Sequence, residues 1–96
     1  MPTFHVWARC RRDFLALSPE QQQLFRTALA HFVEDLGAGS FRPGLRVKGV
    51  RGAPGVFEMT WAADGRATFH FGTAIQEGQP HVVWRRCGTH DVLREP

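Results

Sequence analysis

The chain has 96 residues, 43% of them hydrophobic, with 8 Phe, 3 Trp, no Tyr and a formal net charge of +3. That length bounds it to one domain, residues 1–96, around one core, and the apolar content excludes a disordered tail. There is no leader-like segment and no apolar run long enough to cross a bilayer, so a cytoplasmic protein with no membrane partner is expected.

Thr3-Phe4-His5-Val6-Trp7 alternates and is rich in aromatic and β-branched residues, which predicts a short first strand. Residues 8–17 follow as a short helix, with Phe14 and Leu17 three apart on one face. A longer helix over 19–36 carries clear boundary signals. Ser18 is an N-cap, Pro19 fits the first helical position, and Gln21 completes a capping box. Phe25, Ala28, Leu29, Phe32, Val33 and Leu36 then form an apolar stripe, and Gly37 is placed to end the helix. His31 sits off that stripe and reads as a surface histidine.

Residues 37–55 hold six glycines and two prolines and read as a loop with one short strand at Leu45-Arg46-Val47-Lys48. The period then switches to two. Val56–Trp61 alternates, with Phe57, Met59 and Trp61 on one face. Ala63-Asp64-Gly65 is a turn signal. Arg66–Phe71 alternates again, with Ala67, Phe69 and Phe71 inward and Arg66, Thr68 and His70 outward. A turn at Glu77-Gly78-Gln79-Pro80 leads into a last strand, His81–Cys87. The sum is an α+β domain: an N-terminal strand and a two-helix hairpin packed on an antiparallel sheet of about four strands. The helices cover one face. The other carries Glu58, Thr60, Arg66, Thr68 and His70, open to a partner.

Cys10 and Cys87 form no CxxC pair, and the five histidines match no metal spacing, so neither a disulfide nor a metal or other cofactor is expected. Charge is unevenly spread. No acidic residue lies between Gly37 and Phe57, while Arg42, Arg46, Lys48 and Arg51 do, and Arg85-Arg86 stand close to His90. This points to an anion-binding face, with a solvated loop and strand as the alternative.

Two segments near the C-terminus carry the chemistry. Asp64-Gly65-Arg66-Ala67-Thr68-Phe69 puts an arginine at the start of a strand, and Gly88-Thr89-His90-Asp91-Val92-Leu93 puts a histidine just after the next one. A hairpin bringing them together would join a fixed cation to a titratable imidazole, the minimum for holding or cleaving a phosphodiester. His90 is the acid/base candidate, Arg66 the phosphate clamp, Asp91 the residue that orients His90, and Lys48 and Arg51 further backbone contacts. Each has a structural alternative: His90 as a strand-end cap with Asp91, and Arg66 as a cross-strand partner of Glu58. Glu58 is a conceivable second base.

These segments, in this order behind the helix pair, resemble the RelE/ParE superfamily of toxins from type II toxin–antitoxin modules. Leu45–Gly52 resembles the family's basic segment before a strand, Asp64–Phe69 its turn followed by Arg and alternating apolar residues, and Gly88–Leu93 the C-terminal segment of the YafQ- and HigB-like branches. The resemblance implies an endoribonuclease acting on mRNA at the ribosome, with His90 as the cleavage residue, an antitoxin as partner, and Arg46, Arg85 and Arg86 on ribosomal RNA. The gyrase-directed ParE type, or a non-catalytic binding module, is the alternative. The chain departs from the RelE pattern at Ala62-Ala63, where a further basic residue is usual, and at Leu93, where many members place an aromatic. Phe41 and Trp61 are the candidates to replace that aromatic.

Overall fold

The computed structural model describes residues 1–96. Strand β1 (Thr3–Val6) leads into helix α1 (Ala8–Leu15) and helix α2 (Pro19–Ala38). A 3-10 turn at Pro43–Leu45 and the two-residue strand β2 (Lys48–Gly49) precede the meander of β3 (Phe57–Thr60), β4 (Gly65–Gly72) and β5 (His81–Thr89). A second 3-10 turn, His90–Arg94, closes the chain. The fold is α+β, as the residue patterns imply.

The sheet has five strands in the order β1-β5-β4-β3-β2 rather than about four. It is also mixed: β1 runs parallel to β5, with Thr3 opposite His81 and Val6 opposite Trp84, whereas the other neighbours are antiparallel. The helix pair between β1 and the meander makes this possible, because a parallel pair needs a long crossover. The strand expected at 45–48 shrinks to Lys48–Gly49, since Pro43-Gly44-Leu45 closes a 3-10 turn and Arg46 takes a left-handed φ of 49°.

Helix α2 begins as expected. Ser18 Oγ accepts from the Gln21 amide at 3.2 Å, and Gln21 Oε1 accepts from the Ser18 amide at 2.8 Å. It ends two residues later than expected. Gly37 is helical, and Gly39, at φ 91°, is the left-handed cap whose N–H donates to the Asp35 carbonyl. Asp35 anchors this end: its carboxylate accepts from the Arg42 backbone N–H, Nε and Nη2 at 2.8, 2.8 and 2.9 Å.

The core lies between α2 and one sheet face. Phe32 is fully buried and touches Phe41, Phe69 and Trp84 at ring centroid separations of 4.9–5.0 Å. Phe25 meets Trp61 and Trp84 edge-on. Phe71 shares the Phe69 side of β4 but lies 45% exposed at the sheet margin, not inside.

The opposite face is less open than its residues suggest. Thr68 is fully buried and Glu58 nearly so. The C-terminal 3-10 turn packs on β4 and β5, and Val92 lies so close over Gly88 that a Cβ there would sit 2.9 Å from it. This turn, invisible in the two-residue periodicity, removes part of the expected open face.

Candidate functional site

The β3–β4 turn is built around an indole. The Trp61 amide donates to the Gly65 carbonyl at 3.1 Å, the Gly65 amide to Ala62 at 3.0 Å, and Trp61 Nε1 to the Arg66 carbonyl at 3.0 Å. Gly65 is required here for space: a Cβ would lie 2.5 Å from the Trp61 ring. Arg66 then clasps the turn. Its Nη1 donates to the carbonyls of Gly65, Ala62 and Ala63 at 2.9, 3.3 and 3.4 Å. Nε and Nη2 make no bond within the protein. Arg66 does not bridge to Glu58, because the register places Arg66 opposite Thr60 and Glu58 opposite Thr68.

The same register brings the two motifs together. Gly65 pairs with Thr89 and Arg66 with Gly88, so Asp64 and His90 meet just beyond the ends of β4 and β5. His90 Nδ1 is hydrogen-bonded to Asp64 Oδ1. Its Nε2 lies 3.6 Å from Asp91 Oδ1. Each of these three side chains is more than 60% exposed. The imidazole is therefore held on the side that sequence reasoning left empty: Asp64 grips it, and Asp91, the expected orienting residue, stands at the outer nitrogen. The bond from His90 holds the Asp64 carboxyl below the ordinary aspartate range, and the nearby positive charge of Arg66 adds a smaller push. An ionised carboxylate only accepts, so Nδ1 carries a proton and Nε2 faces outward.

The remaining basic candidates divide. Arg46, Lys48 and Arg51 are exposed along the 3-10 turn, β2 and the loop after it. Arg85 and Arg86 are engaged inside the protein. Arg85 donates to His70 Nδ1 at 3.0 Å and to the Pro96 carbonyl at 3.1 Å, and covers the Trp7 ring at 4.3 Å. Burial, then the charge of Arg85, pushes the His70 pKa down, so His70 serves as a neutral acceptor. Arg86 makes two bonds to Asp13, at 2.8 and 3.3 Å, and a third to the Glu95 carbonyl. Phe41 is half-buried with one ring face stacked on Phe32, and Trp61 is 7% exposed, so both are committed to packing.

Cys10 and Cys87, far apart in sequence, meet in the core, where Cys87 Sγ lies 3.5 Å from the Cys10 carbonyl; both are free thiols. The contact with Cys10, then burial, pushes the Cys87 thiol pKa up, which makes it unreactive. His31, read as a surface histidine, is half-buried and lines a cavity with Arg42, Arg46 and Arg66. The signal for it was a second helical face, Leu24, Thr27, Ala28 and His31, at steps of three and four.

No protein-family model and no curated protein sequence matches the chain. Solved structures do. YafQ in the Escherichia coli DinJ–YafQ toxin–antitoxin complex superposes with a TM-score of 0.70 at 9% identity, over 96% of each chain. A YoeB/ParE toxin from Agrobacterium tumefaciens gives 0.68 at 9% identity, over 92% of this chain and 98% of that one. The RelB–RelE antitoxin–toxin complex from Methanococcus jannaschii gives 0.61 at 9% identity, over 95% of both. The fold of this chain is that of the RelE/ParE-type toxins, over essentially its whole length.

Proposed function

We propose that this chain is the toxin of a type II toxin–antitoxin pair and acts as a metal-independent endoribonuclease on ribosome-bound mRNA. The observation that supports this reading best is the His90 imidazole fixed by the ionised Asp64 carboxylate, with the Arg66 guanidinium acting on the same carboxylate.

Cleavage of RNA without a metal moves two protons. The 2′-OH loses one as its oxygen attacks phosphorus, and the departing 5′-oxygen gains one as the P–O5′ bond breaks. The products are a 2′,3′-cyclic phosphate and a 5′-hydroxyl. His90 suits either transfer, because Nδ1 stays on Asp64 while Nε2 takes or gives the proton. The Asp64 carboxylate keeps the ring oriented during that transfer. The Nε and Nη2 groups of Arg66, unused within the protein, are available for the phosphorane charge. Arg46, Lys48 and Arg51 supply sequence-independent attraction for the backbone. Arg85 and Arg86, already bonded internally, are positioning residues in this reading rather than RNA contacts.

The antitoxin partner is inferred from the company these folds keep: two of the three similar structures are toxin–antitoxin complexes. An acidic or amphipathic antitoxin segment is expected against the acid-free stretch from Gly37 to Phe57. A gyrase-directed or non-catalytic reading is the alternative, favoured by one observation: Trp61 is buried in the core and half-buried Phe41 is stacked on Phe32, so neither aromatic stands free beside His90. Induced expression in a bacterial host, followed by mapping of mRNA 5′ ends, separates the two. New 5′ ends inside translated frames are expected. Growth arrest with unchanged mRNA ends would contradict the nuclease reading.

A further inference from the structure

A cavity of about 530 Å³ lies between α2, the Pro43–Leu45 turn and the β3–β4 turn. Its wall carries four basic side chains, His31, Arg42, Arg46 and Arg66, and no carboxylate. Only Arg42 is neutralised, by Asp35 and more distantly by Glu34 at 3.6 Å. His31 and Arg46 have no hydrogen-bond or ion-pair partner, and Arg66 retains two unused nitrogens. The guanidinium groups of Arg46 and Arg66, held in no ion pair on a concave surface, concentrate the field and raise the local concentration of anions. The neutral part of the wall is equally suggestive. Thr27 and Thr60 offer hydroxyl donors, while Leu24, Leu45 and the edge of Trp61 form an apolar side. A few polar groups converging on an apolar wall, in a volume of this order, is the usual make-up of a small-ligand site.

We propose that this cavity is a nucleotide subsite, taking a phosphate on Arg46, His31 and the free edge of Arg66 and packing the attached nucleoside against Leu24 and Leu45. Arg66 belongs to both places. It lines this cavity, and its charge acts on Asp64 beside His90. The subsite therefore takes the nucleotide flanking the scissile phosphate. It also offers what the outer sheet face lacks, an apolar wall for a base. The cation cluster stands on geometry alone; the choice of a nucleotide over other anions rests on the RNA-directed function proposed above.

The test is an amide NMR titration of the protein with adenosine 3′,5′-bisphosphate and, separately, with inorganic phosphate. Saturable shifts at Thr27, His31, Arg46 and Thr60 are expected, with the bisphosphate binding tighter. Arg46→Ala and His31→Ala should each weaken it about tenfold or more, the scale of a lost charge-assisted hydrogen bond. Arg12→Ala, on the exposed side of α1, should leave it unchanged. Absence of saturable binding, binding indifferent to both variants, phosphate binding as tight as the bisphosphate, or displacement by an acidic peptide at lower concentration would each overturn the inference. Cleavage of mRNA on ribosomes, assayed with the same preparations, keeps the two readings apart. Cleavage without cavity binding sinks the subsite alone, and cavity binding without cleavage sinks the nuclease alone.

Discussion

His90 and Asp64 are hydrogen-bonded to each other across the ends of two adjacent strands, 26 residues apart in the chain and both largely exposed. An exposed pair of this kind adds little to stability. What it does fix is the tautomer and direction of the imidazole. The carboxyl should therefore titrate below the ordinary aspartate value of about 3.9. In His90→Ala the Asp64 midpoint, followed by carbon NMR, should move back up toward that value. A midpoint indifferent to the substitution would mean that the two groups do not meet in solution.

Gly65 sets the position of Asp64. Because a Cβ at Gly65 would lie 2.5 Å from a rigid indole, Gly65→Ala has to displace Trp61 or open the turn. The expected cost is about 1–3 kcal/mol, the usual penalty of overpacking a filled site. The indole fluorescence and the Asp64 titration should shift together. Unchanged urea unfolding and an unchanged emission spectrum would count against the tight turn.

Acid sensitivity should centre on Asp35. Its bonds from the Arg42 side chain, then from the Arg42 amide, hold the carboxyl down at about 2. A carboxyl with a depressed folded-state pKa binds fewer protons folded than unfolded. Its contribution is therefore fully present above about 3.9 and fades as the pH falls toward 2. Thermal midpoints of the wild type and Asp35→Asn should differ most above pH 4 and converge near pH 2. A gap independent of pH would show that the loss in Asp35→Asn is one of packing rather than of charge.

Phe32 is the keystone of the core, with no exposed surface and three aromatic neighbours. Phe32→Ala should cost about 3–5 kcal/mol in urea unfolding. A loss below about 1 kcal/mol would mean that α2 does not pack on the sheet as described.

The features legible in the sequence are those written in local codes. Ser18-Pro19 and Gln21 announce the start of α2 because a capping box is chemistry over four residues. The alternation through Val56–Trp61 and Arg66–Phe71 announces β3 and β4. Gly37 misled because a helical glycine costs only about 1 kcal/mol, so α2 runs through it to Ala38 and is capped by Gly39. The parallel β1–β5 edge was hidden, since direction of pairing leaves no mark on a short alternating segment. Asp64 and His90 were both inside the motifs singled out, yet their partnership depends on the register of Gly65 with Thr89, which no local pattern encodes. Val92 and Leu93 read as motif residues rather than as part of a 3-10 turn packed on β4 and β5, with Val92 over Gly88. The cavity at His31 needed three separated segments to converge before it existed.

The most direct test is single-turnover cleavage of mRNA bound to ribosomes by the wild type, His90→Ala and Asp64→Asn. Unfolding curves should confirm that both variants remain folded, as expected for two exposed side chains. Loss of His90 should slow cleavage by about 10²–10⁴, the worth of a positioned proton-transfer group. Asp64→Asn, which keeps the shape but removes the charge holding Nδ1, should slow it in the same direction by a smaller factor. Cleavage by folded His90→Ala at the wild-type rate would contradict the account.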